Sequence, residues 1–97
     1  MEVRIQAIHF EIADRLTDFI NKKAERLARR FPDITVFDTI LKVVKPESVM
    51  NKEVIVRVSM PSHDDVVATK VADSFEEAVD TAIEAVERQL EKYKEKK

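Results

Sequence analysis

Lysine and arginine side chains cluster in two segments of the chain, and these clusters are the clearest sign of a chemistry. Residues 22–30 carry five cations and one acid. Residues 92–97 carry four cations and one acid. Such cations hold phosphate oxygens through charge-assisted hydrogen bonds. The two segments therefore make nucleic-acid binding a candidate function, although cations at a helix end also serve simply to complement the helix dipole.

The residue types that often carry catalysis are not arranged for it. His9 and His63 lie in predicted turns and lack the spacing of metal ligands. Ser59, His63 and Asp64 are near in sequence, but that proximity is not the geometry of a catalytic triad. Asp64 and Asp65 lack the regularly spaced oxygens of a calcium loop. We therefore expect no catalytic residue, no metal site and no cofactor, and the chain is not predicted to be an enzyme.

The composition is that of one small globular domain spanning residues 1–97. Hydrophobic residues make up 44% and charged residues 37% of the chain. There is no cysteine and no glycine, which excludes disulfides, thiolate metal sites and glycine-rich phosphate loops. The sequence contains neither a signal-peptide pattern nor an apolar run of membrane-spanning length, so we expect a cytoplasmic protein. The net charge of −2 is unusual for a nucleic-acid binder. The prediction of nucleic-acid binding therefore depends on how the cations are distributed along the chain.

Hydrophobic periodicity predicts the element order β-α-β-β-β-α. Alternating apolar residues predict strands, and three- and four-residue steps predict helices. Pro32 ends the first helix, and Ser74 with Glu77 forms a capping box at the start of the last helix. The predicted strands are 2–8, 36–45, 53–60 and 66–72, and the predicted helices are 13–31 and 74–97, with 46–51 a polar turn and 95–97 a frayed tail.

This order predicts an α+β fold in which both helices pack on one face of a four-stranded mixed sheet. The first strand–helix–strand unit forms a right-handed parallel crossover, and the next two connections are short enough for hairpins. Both helices then run in the same direction, so the two cationic segments meet at one end of the domain as a localised positive field. Lys23 lies on or beside the apolar stripe of its helix, and we expect it to extend along the sheet edge; the alternative is that it directs its charge toward a partner.

The aromatic and apolar residues indicate one alternative function. Four aromatic residues are predicted to be core: Phe19, Phe31, Phe37 and Tyr93. The last helix also fits a heptad, which would allow self-association through a coiled-coil seam. That seam comprises Phe75, Val79, Ala82, Val86, Gln89 and Tyr93. The alternative function is thus a protein-interaction module, self-associating or modulating a transcription factor, without RNA binding.

Several motifs resemble those of a known family. Residues 86–94, VERQLEKYK, resemble the signature L-E-R-Q-L-x-K-x-K, and residues 78–80, AVD, resemble A-I-D. Residues 12–23, with Leu27 and Phe31 to Asp33, follow the family's first helix and its central lysine. On these residues the chain resembles the ribosome hibernation promoting factors, also called ribosome-associated inhibitors or sigma-54 modulation proteins.

The resemblance implies a fold similar to the double-stranded-RNA-binding domain. It also implies binding to the small ribosomal subunit and its ribosomal RNA, in the channel for messenger and transfer RNA. Translation would be blocked and idle ribosomes preserved during stress or stationary phase. By position, the family's RNA contacts fall on Lys23, Arg26, Arg29, Arg88 and Lys92, and the charge argument adds Lys22, Arg30 and Lys94. No small-molecule substrate or membrane partner is expected, and the length resembles the short form, which has no ribosome-dimerising domain.

Three positions depart from the family's pattern. The loop after the first strand reads Ala7-Ile8-His9 where the family usually has a glycine, and Ser74-Phe75-Glu76 replaces D-M-Y at the last helix start. Ala85 stands where a lysine is usual, which shifts the expected RNA contact toward the helix ends. Because the chain has no glycine, a turn with positive φ must use Asn, Asp or a strained residue.

Overall fold

A computed structural model describes residues 1–44, 49–61 and 63–95, and the side chains of all of these except residues 94 and 95. The predicted order of strands and helices is confirmed. The predicted polar turn lies partly outside the described residues, and so does most of the predicted frayed tail. The elements are β1 (Glu2–Ala7), α1 (Asp14–Arg30), β2 (Val36–Val43), β3 (Lys52–Ser59), β4 (Val66–Ala72) and α2 (Phe75–Glu95).

The four strands form one mixed sheet in the order β1-β2-β3-β4. β1 pairs with β2 in parallel, and the other two pairs are antiparallel. The register places Phe37 beside Val3 and Val58, and Val58 beside Val66, so one row of apolar side chains crosses the whole sheet. Because side chains alternate between faces, this row shares its face with every second residue of each strand. That face is the one the helices cover.

The core lies between the sheet and the two helices. α2 packs over β3 and β4, while α1 lies beside α2 and toward β1. The helices contribute one buried stripe each: Leu16, Ile20, Ala24 and Leu27 from α1, and Ala78, Val79, Ala82, Ile83, Val86 and Leu90 from α2. Of the predicted core aromatics, Phe37 and Phe31 are buried, whereas Phe19 and Tyr93 are half-buried.

The sheet also accounts for the heptad pattern of α2. Val79, Ala82 and Val86, which form the middle of the proposed seam, are each fully buried. They belong to the same hydrophobic cluster as the β3 valines and Leu90. The seam is therefore the core face of α2, and it is not available for a coiled coil with a second chain.

The helix ends agree with the sequence signals. At the end of α1, Phe31 N–H donates to the carbonyl of Leu27 at 2.9 Å, and Pro32 prevents further turns. Glu77 N–H donates to Ser74 Oγ at 3.2 Å, which forms the backbone half of the predicted capping box. α1 begins after Ala13, whose backbone is extended and which provides no side-chain cap. The first helix is thus the less well capped of the two.

Within residues 1–44, 49–61 and 63–95, two residues that are not glycine adopt positive φ. These are His9, at φ 63°, and Met50, at φ 54°. Neither is Asn or Asp, so the chain uses strained residues at both places. His9 occupies the loop after β1 in which the family usually has glycine. Met50 is held by Asp73, whose Oδ1 accepts the Met50 N–H at 2.8 Å.

We expect His9→Gly to raise the free energy of unfolding by about 0.5–1 kcal/mol, because glycine reaches positive φ without a clash at Cβ. Urea denaturation measures this change. His9→Ala is the matched control: it removes the imidazole but keeps Cβ, so no comparable gain is expected. A loss of stability in His9→Gly would show that the imidazole matters more than the backbone strain.

We also expect Ala13→Ser to stabilise the protein by about 1 kcal/mol, because the new hydroxyl can accept a free N–H of the first turn of α1. The opposite change at the other helix, Ser74→Ala, should cost about the same amount. Thermal unfolding of both variants tests the pair. Equal melting temperatures for wild type and Ala13→Ser would contradict the assignment of Ala13 as an uncapped N-cap.

Candidate nucleic-acid interface

The two helices run parallel and are joined along their length by ion pairs. Lys23 Nζ lies 2.8 Å from Asp80 Oδ1, and Arg30 Nη1 lies 2.5 Å from Glu87 Oε2. Lys23 and Arg30 are seven residues apart on α1, as Asp80 and Glu87 are on α2. Pairs that follow the same order on both helices require the helices to point the same way. The C-terminal ends of α1 and α2 therefore lie at the same end of the domain, as the topology predicts.

Five of the predicted site residues form an exposed cationic surface on the helix layer. On α1, Lys22, Arg26 and Arg29 follow four- and three-residue steps, so they share one face of the helix. On α2, Arg88 and Lys92 are one turn apart and exposed. None of the five forms an ion pair with another residue in the described part of the chain. We call these five residues the cationic helix face; they are open to an external anion.

Arg30 differs from its neighbours because two carboxylates hold it. Its guanidinium donates to Glu87 at 2.5 Å and to Glu91 at 2.7 Å. The hydrogen bond to Glu91 raises the pKa of Arg30 above its ordinary value, and the charges of Glu87 and Glu91 act in the same direction. Arg30 thus remains a full cation, but its charge is balanced inside the protein. It contributes less than Arg26 or Arg29 to the field that a partner would meet.

Lys23 is also engaged within the protein. Its ammonium group pairs with Asp80 and lies 5.3 Å from the centre of the Phe19 ring. The prediction that Lys23 extends along the sheet edge is wrong, because the side chain lies between the two helices, where Asp80 provides a carboxylate. The cation–π contact with Phe19 further stabilises the Lys23 side chain in this position.

The remaining basic residues of the two helices are Lys94 and Arg15. Lys94 lies in α2, but its side chain is outside the described residues. Arg15 is not among the predicted site residues, although it is exposed and lines a shallow surface depression with Asp18, Phe19, Lys22 and Lys23. The spacing of the sequence could have identified Arg15, because Arg15, Lys22 and Arg29 are seven residues apart and so return to the same helix face.

Acidic residues restrict where the positive surface lies. Asp33 follows α1, and Asp64 and Asp65 lie in the turn between β3 and β4; all three are exposed. These loops are at the same end of the sheet as the C-termini of the helices. The predicted localised positive field therefore does not extend over these loops. The cationic helix face lies on the helices themselves, which also carry exposed acids such as Glu25 and Glu84.

Two absences bear on the kind of site. The described residues contain no group of three or more His, Cys, Asp or Glu side chains that could hold a metal ion. Among the helices described, none is long and apolar enough to cross a membrane.

The fold and the surface define a small α+β domain: a four-stranded mixed sheet, two parallel helices on one face, and cations on the outer side of those helices. Comparison with known families identifies it further. Residues 3–97 match the family described as "Sigma 54 modulation protein / S30EA ribosomal protein", and the chain belongs to that family.

Named relatives agree with this assignment. The chain is 31% identical over 96 residues to the ribosome hibernation promoting factor of Pseudomonas putida, covering 99% of this chain and 89% of that protein. It is also 31% identical over 96 residues to the ribosome hibernation promoting factor of Azotobacter vinelandii, covering 99% of this chain and 85% of the relative. The family resemblance inferred from the sequence motifs is confirmed.

Solved structures confirm the fold. A ribosomal subunit interface protein from Coxiella burnetii superimposes with a TM-score of 0.85 at 24% identity, covering 97% of this chain and 98% of that one. The N-terminal domain of Thermus thermophilus Protein Y gives a TM-score of 0.80 at 20% identity, covering 96% and 99%. At these identities the comparison establishes the architecture.

We predict that Lys23 and Asp80 are energetically coupled. A double-mutant cycle with Lys23→Ala and Asp80→Ala should give a coupling free energy of about 0.2–1 kcal/mol, because the pair is partly exposed to solvent. Urea denaturation at low and high salt measures it, and the coupling should shrink as salt screens the charges. A cycle between Lys23 and the more distant Glu84 provides the control. Equal coupling in both cycles would contradict a specific ion pair.

Proposed function

We propose that this protein is a ribosome-associated translation inhibitor. It binds the small ribosomal subunit in the channel that messenger and transfer RNA use, and it preserves idle ribosomes during stress or stationary phase. It acts in the cytoplasm by occupying this channel, without catalysis. Family membership supports this function, and the observation that carries it on this chain is the cationic helix face.

The geometry suits contact with RNA backbone rather than base reading. The five residues of the cationic helix face come from two helices, so they can hold phosphates on separate stretches of RNA backbone. The pairs Lys23–Asp80 and Arg30–Glu87 join the helices, so both halves of the face are presented in one fixed arrangement. A preorganised surface loses less entropy on binding than one that must assemble. Structured RNA is recognised largely through such backbone and shape contacts.

The alternative function, a protein-interaction module that self-associates through α2, would need the apolar seam of α2 to be exposed. The seam residues Val79, Ala82 and Val86 are buried against the sheet. Exposing them would remove the apolar cover of β3 and β4. The cationic helix face, in contrast, is accessible without any rearrangement.

Binding to purified small subunits should depend steeply on salt. If the five side chains of the cationic helix face each neutralise one phosphate, the log–log slope of affinity against salt is about −4. Reversing three of these charges, in Arg26→Glu, Arg29→Glu and Lys92→Glu combined, should lower affinity by at least about 100-fold and flatten the slope. Co-sedimentation over a salt series measures both quantities.

The matched control reverses three exposed cations on the strands: Arg4→Glu, Arg57→Glu and Lys70→Glu. It changes the net charge equally but leaves the cationic helix face intact, so the affinity should remain much closer to that of the wild type. Thermal melting checks that both triple variants are folded. The proposal fails if the wild-type protein does not co-sediment at low salt, or if the helix variant binds as well as the strand variant.

A further inference from the structure

A cleft of about 290 Å³ opens between the C-terminal ends of the two helices and the turn that follows β3. We call it the terminal cleft. It is close to the lower limit of small-molecule pockets, so it can hold one planar ring system rather than a larger ligand. Its lining includes Arg30, Phe31, Asp33, His63 and Tyr93.

Stacked rings form one wall of the terminal cleft. The rings of His63 and Tyr93 have centroids 4.9 Å apart and planes inclined by 24°. His63 is exposed and Tyr93 is half-buried, so the stack extends from the core to solvent. Flat exposed rings are the surfaces on which unpaired RNA bases stack.

A second aromatic stack in the molecule provides a comparison. Phe10 and Phe75 have ring centroids 5.0 Å apart and lie at the start of α2, beside the exposed acids Glu76 and Glu77. The His63–Tyr93 stack lies at the other end of α2, where Tyr93 directly follows Lys92 of the cationic helix face. The second stack has Lys92 beside it on α2, which can hold a phosphate next to a stacked base, although the exposed acids Asp64 and Asp65 directly follow His63.

Arg30 and Asp33 also line the cleft, and their charges suit a base better than a phosphate. Arg30 lies over the Phe31 ring, with its guanidinium carbon 5.3 Å from the ring centre, and its charge is balanced by Glu87 and Glu91. A guanidinium held in this way offers a flat face for stacking while having little excess charge for a phosphate. Asp33, the carboxylate of the cleft lining, repels phosphate and accepts hydrogen bonds from an amino group on a base edge.

We propose that the terminal cleft receives a single unpaired nucleobase of ribosomal RNA, stacked against His63 and bordered by Arg30 and Asp33. This inference rests on the proposed function, because it assumes an RNA partner. It adds a base-binding site to a surface that otherwise contacts only backbone. Bases that carry an amino group fit the Asp33 carboxylate better than uracil does.

The test uses three variants of the full chain with purified small subunits. His63→Ala removes the stacking surface, and His63→Phe retains a flat ring without the imidazole. Phe10→Ala disrupts the other stack and is the matched control. His63→Ala should weaken binding by roughly 5- to 150-fold, the range for losing one stacked base, with little change in salt slope. His63→Phe should restore affinity, and Phe10→Ala should retain it once corrected for the folded fraction.

Chemical probing of base edges in the same complexes, with dimethyl sulfate and kethoxal, identifies the base. One unpaired base should be protected by the wild-type protein and by His63→Phe, but not by His63→Ala. Unchanged affinity in His63→Ala overturns the inference. Weakened binding without loss of any base protection also overturns it, because a protein side chain would then fill the cleft. Absence of binding by the wild-type protein would instead overturn the proposed function, and the inference with it.

Discussion

The packing of α2 across β3 and β4 is the interaction on which the rest of the structure depends. Three alternate residues of β3, Val54, Val56 and Val58, are fully buried beneath the helices. Each large aliphatic side chain buried in this way contributes about 1.5–3 kcal/mol before the cost of ordering the chain. This packing sets the direction of α2, and with it the side of the domain on which Arg88 and Lys92 are displayed.

The ion pairs between the helices have a different role from the core. Pairs that are this exposed contribute little to stability. Their effect is on position, since Asp80 and Glu87 contact α1 at places two helical turns apart and so fix its alignment beside α2. They also divide the basic residues into two groups: Lys23 and Arg30 are satisfied internally, while the cationic helix face stays open to a partner.

Most of the fold was predictable from periodicity, because alternation and helical spacing each report the face that a segment must bury. The right-handed crossover rule and the short connections then left one topology. The site was predictable only in part. Runs of lysine and arginine indicated the segments that carry the exposed cations of the helices, but these runs did not include Arg15 and did not separate Arg30 from Arg29. That separation depends on which side of α1 faces the carboxylates of α2.

The sequence by itself determined the elements, the family and the presence of two cationic segments, because these follow from the order and spacing of residues along the chain. The tertiary structure alone decided which cations remain free, where the positive surface ends, and that His63 and Tyr93 meet beside Arg30. These features join residues that are distant in sequence. Their contacts depend on the rotation and separation of the packed helices, and the local spacing of residues determines neither of these.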